Sequence, residues 1–276
     1  RPPRSTLFPY TTLFRSIAGS PVKEGTVGVF GPGAVYASSG RFEIHIKGVG
    51  GHGAAPDWTH NPLGAMCAIY QGIHEIVAEH RSPFDSCTMT VGKMSAGDSA
   101  NIIPETAIMQ GTIRTFSKQV GERLRKDLVT LVEYVGKAKG VTAEVTFGTA
   151  CPPLVVDSNV HKSFLCSMKE MFGDEAWDMR TAWGGAYSKS TSAEDFSYIA
   201  EKVPSGFGWI FLGDSRQGRK WGCHNPKVQF NDAYLYRGAA AYTKAAMDWL
   251  LENAAAGTVS DCIRQAEETL YEMAGN

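Results

Sequence analysis

No apolar run in this chain approaches the ~20 residues that a membrane-crossing helix needs. Its six cysteines, at positions 67, 87, 151, 166, 223 and 262, form no Cys-x-x-Cys pair and no dense framework. The first absence argues against a helical membrane protein. The second argues against a disulfide scaffold and for the reduced thiols of a cytoplasmic protein. A surplus of charge is missing too, because the formal net charge of −1 gives no electrostatic case for nucleic acid or an anionic membrane. What remains is a globular composition, 43% apolar and 20% charged, in a chain of 276 residues. That length accommodates two domains at roughly 100–200 residues each.

The first sixteen residues lack an initiator Met and an uninterrupted apolar core bounded by a small-residue cleavage site, so they do not read as a signal peptide. They contain a near-duplicate, Ser5-Thr6-Leu7-Phe8 followed by Thr11-Thr12-Leu13-Phe14-Arg15-Ser16. This resembles translated sequencing-adapter read-through. Residues 1–16 are therefore expected to stand outside the fold, and the native protein to begin upstream of Ile17.

From Ser38 the pattern becomes regular. Phe42, Ile44 and Ile46 alternate with Glu43, His45 and Lys47, as in a half-buried strand. Gly48-Val49-Gly50-Gly51-His52-Gly53-Ala54-Ala55-Pro56 follows, a flexible stretch around one histidine. Asn61-Pro62 caps a helix that runs to His80. Strands are expected over Cys87–Met94 and Ala107–Phe116, a helix over Gln119–Lys139 ended by Gly140, and a last strand over Val141–Phe147. The order β-α-β-β-α-β is the ferredoxin-like arrangement, a four-stranded sheet with both helices on one face. His45, His74 and His80 are read as surface or packing residues.

Two residues in this stretch invite a ligand. Asn101 precedes Ile102-Ile103-Pro104, where its side chain either ties down a turn or faces a ligand. Arg114 lies near a strand end, and its guanidinium fork suits a carboxylate, with a surface ion pair as the alternative.

Cys151-Pro152-Pro153 marks a domain boundary. A helix is expected over Asn159–Phe172, and another from a Ser192 cap to Glu201 with Asp195 completing a capping box. Gly206–Gly213 reads as a buried strand and Ala233–Asn253 as a closing helix that buries Leu235, Ala239, Tyr242, Ala246 and Leu250. His224, in Cys223-His224-Asn225-Pro226, sits on the loop after the buried strand, where α/β enzymes gather ligands. The tail 254–276 carries an amphipathic stretch (Ile263, Ala266, Leu270, Met273) and no assigned chemistry.

Taken in order, Gly50-Gly51-His52-Gly53-Ala54-Ala55-Pro56, Asn101-Ile102-Ile103-Pro104, Gly111-Thr112-Ile113-Arg114, Ala193-Glu194-Asp195-Phe196 and His224-Asn225-Pro226 resemble the metal-dependent aminoacylase, hippurate hydrolase and indole-acetyl-amino-acid hydrolase family. These are N-acyl-amino-acid amidohydrolases related to zinc carboxypeptidases. The resemblance covers roughly Gly25 to Asn253. It implies an α/β enzyme with a ferredoxin-like lid, or dimerisation, domain over 38–149 and the C-terminal part of a metallopeptidase catalytic domain over 150–253, with 17–37 a residual catalytic segment and 254–276 a tail. It further implies a homodimer, a small N-acyl amino acid substrate and two divalent metals, Zn or Mn, per active site.

Residue by residue, the resemblance makes His52 the group that reaches the partner subunit's active site and stabilises the oxyanion. Asn101 and Arg114 hold the substrate, Arg114 by its free carboxylate. His224 is the final metal ligand, and Glu194 is given only a supporting role behind the ligands. The departures are as telling. The family's upstream metal ligands, in a Gly-Cys-Gly-His-type segment and a Glu pair, have no counterpart. A further histidine ligand is expected shortly before Pro21-Val22, where this chain reads Ser16-Ile17-Ala18-Gly19. Asp57 and Cys223 also replace a histidine and an apolar residue. This polypeptide is accordingly expected to be inactive although its full-length parent is an amidohydrolase. The rival readings are a non-catalytic dimerisation or binding module and a metallo-exopeptidase.

Overall fold

The computed structural model describes residues 11–185 and 188–254. In chain order its elements are β1 (Thr11–Ser20), β2 (Val27–Phe30), β3 (Gly33–Tyr36), β4 (Gly40–Lys47), β5 (Gly51–His52), α1 (Pro62–Glu79), β6 (Cys87–Ser95), β7 (Ile102–Ile103) and β8 (Thr106–Thr115). There follow α2 (Lys118–Lys139), β9 (Thr142–Phe147), β10 (Leu154–Val156), α3 (Ser158–Phe172), β11 (Ala176–Asp178), α4 (Ser197–Ala200), β12 (Ser205–Asp214) and α5 (Leu235–Ala254). The chain divides into two compact units. One comprises the residues up to Val35, Val155–Lys189 and those from Tyr198 on; the other comprises Tyr36–Leu154 and Ser190–Ser197.

The second unit is built on an antiparallel sheet of order β6-β8-β4-β9. This is the ferredoxin-like order that the β-α-β-β-α-β succession predicts. Phe42, Ile44 and Ile46 of β4, with Met89, Met109 and Ile113, face a core completed by Ile69 and Ile73 of α1 and Leu124, Leu128 and Val132 of α2. Arg41, His45 and Lys47 point the other way. A bulge between Val91 and Lys93 shifts the phase of β6, so that Met94 pairs with Met109 as Met89 pairs with Ile113. Asn61 caps α1 and Ser117 caps α2 through side-chain oxygens. Gly140 ends α2 at φ 68°, the left-handed position that glycine occupies without strain.

The first unit holds a four-stranded sheet of order β1-β12-β2-β11. Strand β12 is buried on both faces and splits its side chains between them. Ile210 and Leu212 join Phe164 and Met168 of α3 and Ala241 of α5. Phe207, Trp209 and Phe211 stack edge-on among Phe30 and one another on the other side.

Three expectations change here. Residues 11–16 do not stand outside the fold, because they form most of β1, parallel to β12, with Phe14 buried against Phe164 and Tyr242. The helix expected from Ser192 to Glu201 shrinks to Ser197–Ala200. Glu194 turns its carboxylate to the Phe196 N–H at 3.3 Å instead of entering a helical turn. Helix α5 forms, but Leu235, Ala239, Tyr242, Ala246 and Leu250 are all exposed, and Gly238 and Ala241 face inward instead. The tail pattern at Ile263–Met273 lies outside the described residues.

Candidate active site

Beyond β4 the glycine-rich stretch folds flat against the segment Asn101–Glu105. Gly51 pairs with Ile103 and His52 with Ile102, and the Gly53 N–H donates to the Asn101 carbonyl at 2.8 Å. A Cβ on Gly50 would lie 2.9 Å from the Ile103 oxygen, and one on Gly53 would lie 3.1 Å from that of Asn101. Glycine is used here for close backbone approach.

The contact brings His52 and Asn101 together at one exposed tip. The His52 Nδ1 accepts the Ala54 N–H at 3.1 Å. A neutral imidazole with its Nδ1 lone pair so engaged carries its proton on Nε2, and presents an outward N–H donor. Asn101 accepts the Ser99 hydroxyl on Oδ1 at 2.7 Å, which orients the amide and leaves its Nδ2 protons available. Both of the roles weighed for Asn101 are thus compatible, since one atom ties the turn and the other faces out.

Arg114 stands elsewhere. Strand β8 begins beside the tip, where Thr106 pairs with Lys47, and Arg114 pairs with Thr88 near its far end. Eight residues at about 3.3 Å each separate the two ends by roughly 26 Å. The half-buried Arg114 guanidinium has no hydrogen-bonding or ionic partner among the described residues. It lines a cavity of about 400 Å³ with Arg81, Thr88, Phe116 and Thr191. Arg81 is committed to the scaffold, donating to the Val77 and Asp85 carbonyls at 2.6 Å each. Arg114 is therefore the cation left for an anion.

Glu194 is buried in the same unit, and its carbonyl accepts the Cys151 thiol at 3.3 Å. Together with the Phe196 contact, this makes it a brace for the 190–197 segment.

His224 lies in the other unit, exposed on the loop between β12 and α5, with φ at 71°. Only this histidine, among non-glycine residues described, has a positive φ. The loop tip rests on β1: the Cys223 thiol donates to the Ser16 carbonyl at 3.3 Å, and Gly222 lies against Gly19. The residues just before His224 thus lie against the Ser16–Gly19 segment, where the resemblance expects another histidine.

One residue of this neighbourhood was not legible beforehand. Glu24 is 3% exposed and accepts from the Asp214 N–H, Arg219 and Asn231. Burial works against its charge, but Asn231, the Asp214 N–H and Arg219 outweigh it and hold the carboxyl below its ordinary range. Its partners are 190 or more residues away, so no local pattern announces it. His161 is a second such residue. It is buried, with Nδ1 on the Phe30 carbonyl at 2.9 Å and Nε2 without a hydrogen-bond partner among the described residues. Burial pushes its pKa below the usual histidine value, despite the Phe30 contact.

A two-metal centre requires imidazoles and carboxylates gathered around the ions. Among the described residues, no three of His, Cys, Asp and Glu are so gathered. The donor set in hand does not fit a metal pair, and His224 is at most one contributor to one.

The peptidase dimerisation domain family matches residues 37–139. The IAA-amino acid hydrolase ILR1-like 2 of Arabidopsis thaliana is 31% identical over 83% of this chain and 51% of its own length. The N-acetylcysteine deacetylase of Bacillus subtilis is 31% identical over 76% of this chain and 52% of its own. The crystal structure of a dinuclear metal-binding peptidase from the M20 family of Bacillus subtilis superposes with a TM-score of 0.65, at 23% identity, over 88% of this chain and 58% of that one. This chain spans about half the length of the curated relatives it matches. No helix among the described residues is long and apolar enough to cross a membrane.

Proposed function

We propose that this chain, which is related to the M20-type amidohydrolases and peptidases, supplies the substrate-gripping part of an enzyme that hydrolyses the amide bond of N-acyl amino acids. One observation carries the reading: the exposed tip where the β5–β7 pairing sets His52 beside Asn101, with His52 Nδ1 and Asn101 Oδ1 already engaged and their remaining N–H groups left to donate. Amide hydrolysis passes through an oxyanion, and a fixed donor aimed at that charge acts chiefly in the transition state. Losing one such donor costs ~10²–10³ in rate. The Nε2–H of His52 provides such a donor, with Asn101 beside it to bind the substrate. Arg114, unpaired over its cavity, takes the free carboxylate through its two-pronged fork.

The two ends of β8 are too far apart for one small substrate to touch both within a chain. The reading therefore requires a homodimer in which the His52 tip of one copy completes the Arg114 end of the other. The dimerisation domain supports that arrangement. The five described cysteines are free thiols, in keeping with a cytoplasmic setting. His224 is assigned to the metal site of the complete enzyme. The described residues do not fit a metal pair, so activation of the water is not assigned to them, and the polypeptide alone is expected to lack turnover.

The same donor set favours a second reading, a dimerising module that binds acylated amino acids without cleaving them. Titration of the purified chain with N-benzoyl amino acids and their C-terminal amides tests the shared step. The free acids should shift the resonances of Arg114 and bind at least ten-fold more tightly than the amides, and Arg114→Ala should abolish the difference. Equal binding of acid and amide by the wild-type chain removes the carboxylate clamp. Metal-dependent hydrolysis by the chain alone removes both the inactivity and the module reading.

A further inference from the structure

The base of the His224 loop converges on one buried carboxylate. Glu24 Oε1 accepts the Asp214 N–H at 3.1 Å and Arg219 Nη1 at 2.8 Å, while Oε2 accepts Asn231 Nδ2 at 2.5 Å. Asp214 ends β12, Arg219 lies inside the loop, and Asn231 closes it. The Asn231 N–H also reaches the Leu212 carbonyl at 2.6 Å, and its Oδ1 accepts the Ala233 N–H at 3.1 Å ahead of α5. The loop is thus a closed Ω-shaped excursion whose ends meet at Glu24. Between those ends most side chains from Trp221 to Phe230 are exposed, and beyond Cys223 on the Ser16 carbonyl and Gly222 against Gly19 little packing fixes the tip. Yet His224 holds a left-handed backbone, which a non-glycine residue keeps only when its surroundings impose it.

We propose that Glu24 is the positioning residue of this loop: by joining Asp214, Arg219 and Asn231 it sets where the His224 imidazole stands. The loop geometry stands by itself, while its value for catalysis rests on the reading of His224 as a metal ligand.

Donor and acceptor chemistry supplies the test. In Glu24→Gln the new amide confronts the amide of Asn231, donor against donor, and the buried partners lose an acceptor. Hydrogen exchange should then quicken at least ten-fold for the amides of residues 215–231, while those of α2 keep their wild-type rates. Adding Asn231→Asp reverses the pair: the new amide donates to the new carboxylate, whose other oxygen still accepts the Ala233 N–H. The double variant should return the loop to within about three-fold of wild type, as coupled neighbours do in a double-mutant cycle. The His224 ring signal should be single in wild type and double variant and broadened in Glu24→Gln.

Wild-type loop rates in Glu24→Gln, equal quickening throughout its unit, or a double variant no better than the single would each overturn the proposal. A His224 ring signal in the wild-type chain that ignores added Zn²⁺ would count against the ligand reading alone, leaving the exchange result intact.

Discussion

A single backbone N–H decides what His52 can do. With Ala54 donating to Nδ1 at 3.1 Å, the neutral ring must carry its proton on Nε2. Nitrogen-15 shifts of the His52 ring should therefore report a dominant Nε2–H tautomer at pH 8; a dominant Nδ1–H form would leave no outward donor. His161 sets a stability effect of its own. Burial lowers its folded pKa below the unfolded value of about 6.5. Its contribution is therefore complete above that value and is lost as pH falls from about 6.5 towards the lower folded value, because the unfolded chain binds the proton first. Urea midpoints should drop over that window in the wild type and drop less in His161→Phe; parallel curves would show that another group governs the acid limb. His52, Asn101, Arg114 and His224 stand out as candidates because each sits in a short motif of glycine, proline or strand-end character. Glu24 and His161 do not, since their partners come from distant sequence.

Whole elements were legible where one periodicity dominates. In the unit built on β6-β8-β4-β9, β4 alternates strictly and α2 has a single apolar stripe through Leu124, Leu128 and Val132, so strand, helix and facing all followed. Truncating that stripe with Leu128→Ala should cost about 2–5 kcal/mol in chemical denaturation. Helix α5 defeats the same logic because it is apolar on two faces. Large residues (Leu235, Tyr242, Leu250) are exposed, and the small Ala241 packs against α3. The expected stripe, which also held Ala239 and Ala246, is exposed throughout, and the buried face one position out of phase carries Gly238 and Ala241. Two substitutions separate the faces: Leu250→Ser should stay within about 0.5 kcal/mol of wild type, whereas Ala241→Leu should cost about 1–3 kcal/mol by overpacking. Residues 11–16 differ again. Their near-duplicate of the preceding stretch set them outside the fold, but Phe14 supplies a ring that the sheet and α3 bury.

At the scale of the whole molecule the decisive quantity is the roughly 26 Å of strand from Thr106, where β8 begins beside the His52 tip, to Arg114. No periodicity carried that separation; it follows from the register of β8, with Lys47 opposite Thr106 and Thr88 opposite Arg114. A dimer with two-fold symmetry converts the distance into an arrangement, because each copy then offers a tip to the other's cavity and receives one in return. Complementation exposes it. Chains carrying His52→Ala or Arg114→Ala should each bind an N-acyl amino acid weakly as homodimers, since every composite site is damaged. In an equimolar mixture half of the dimers are mixed, and each mixed dimer has one site with both residues intact. Titration should therefore recover tight binding at about one quarter of the wild-type number of sites, as random exchange of two-fold pairs requires. A mixture that binds no better than its two components would place His52 and Arg114 in separate sites. The tip would then have to serve some ligand other than the one that Arg114 holds.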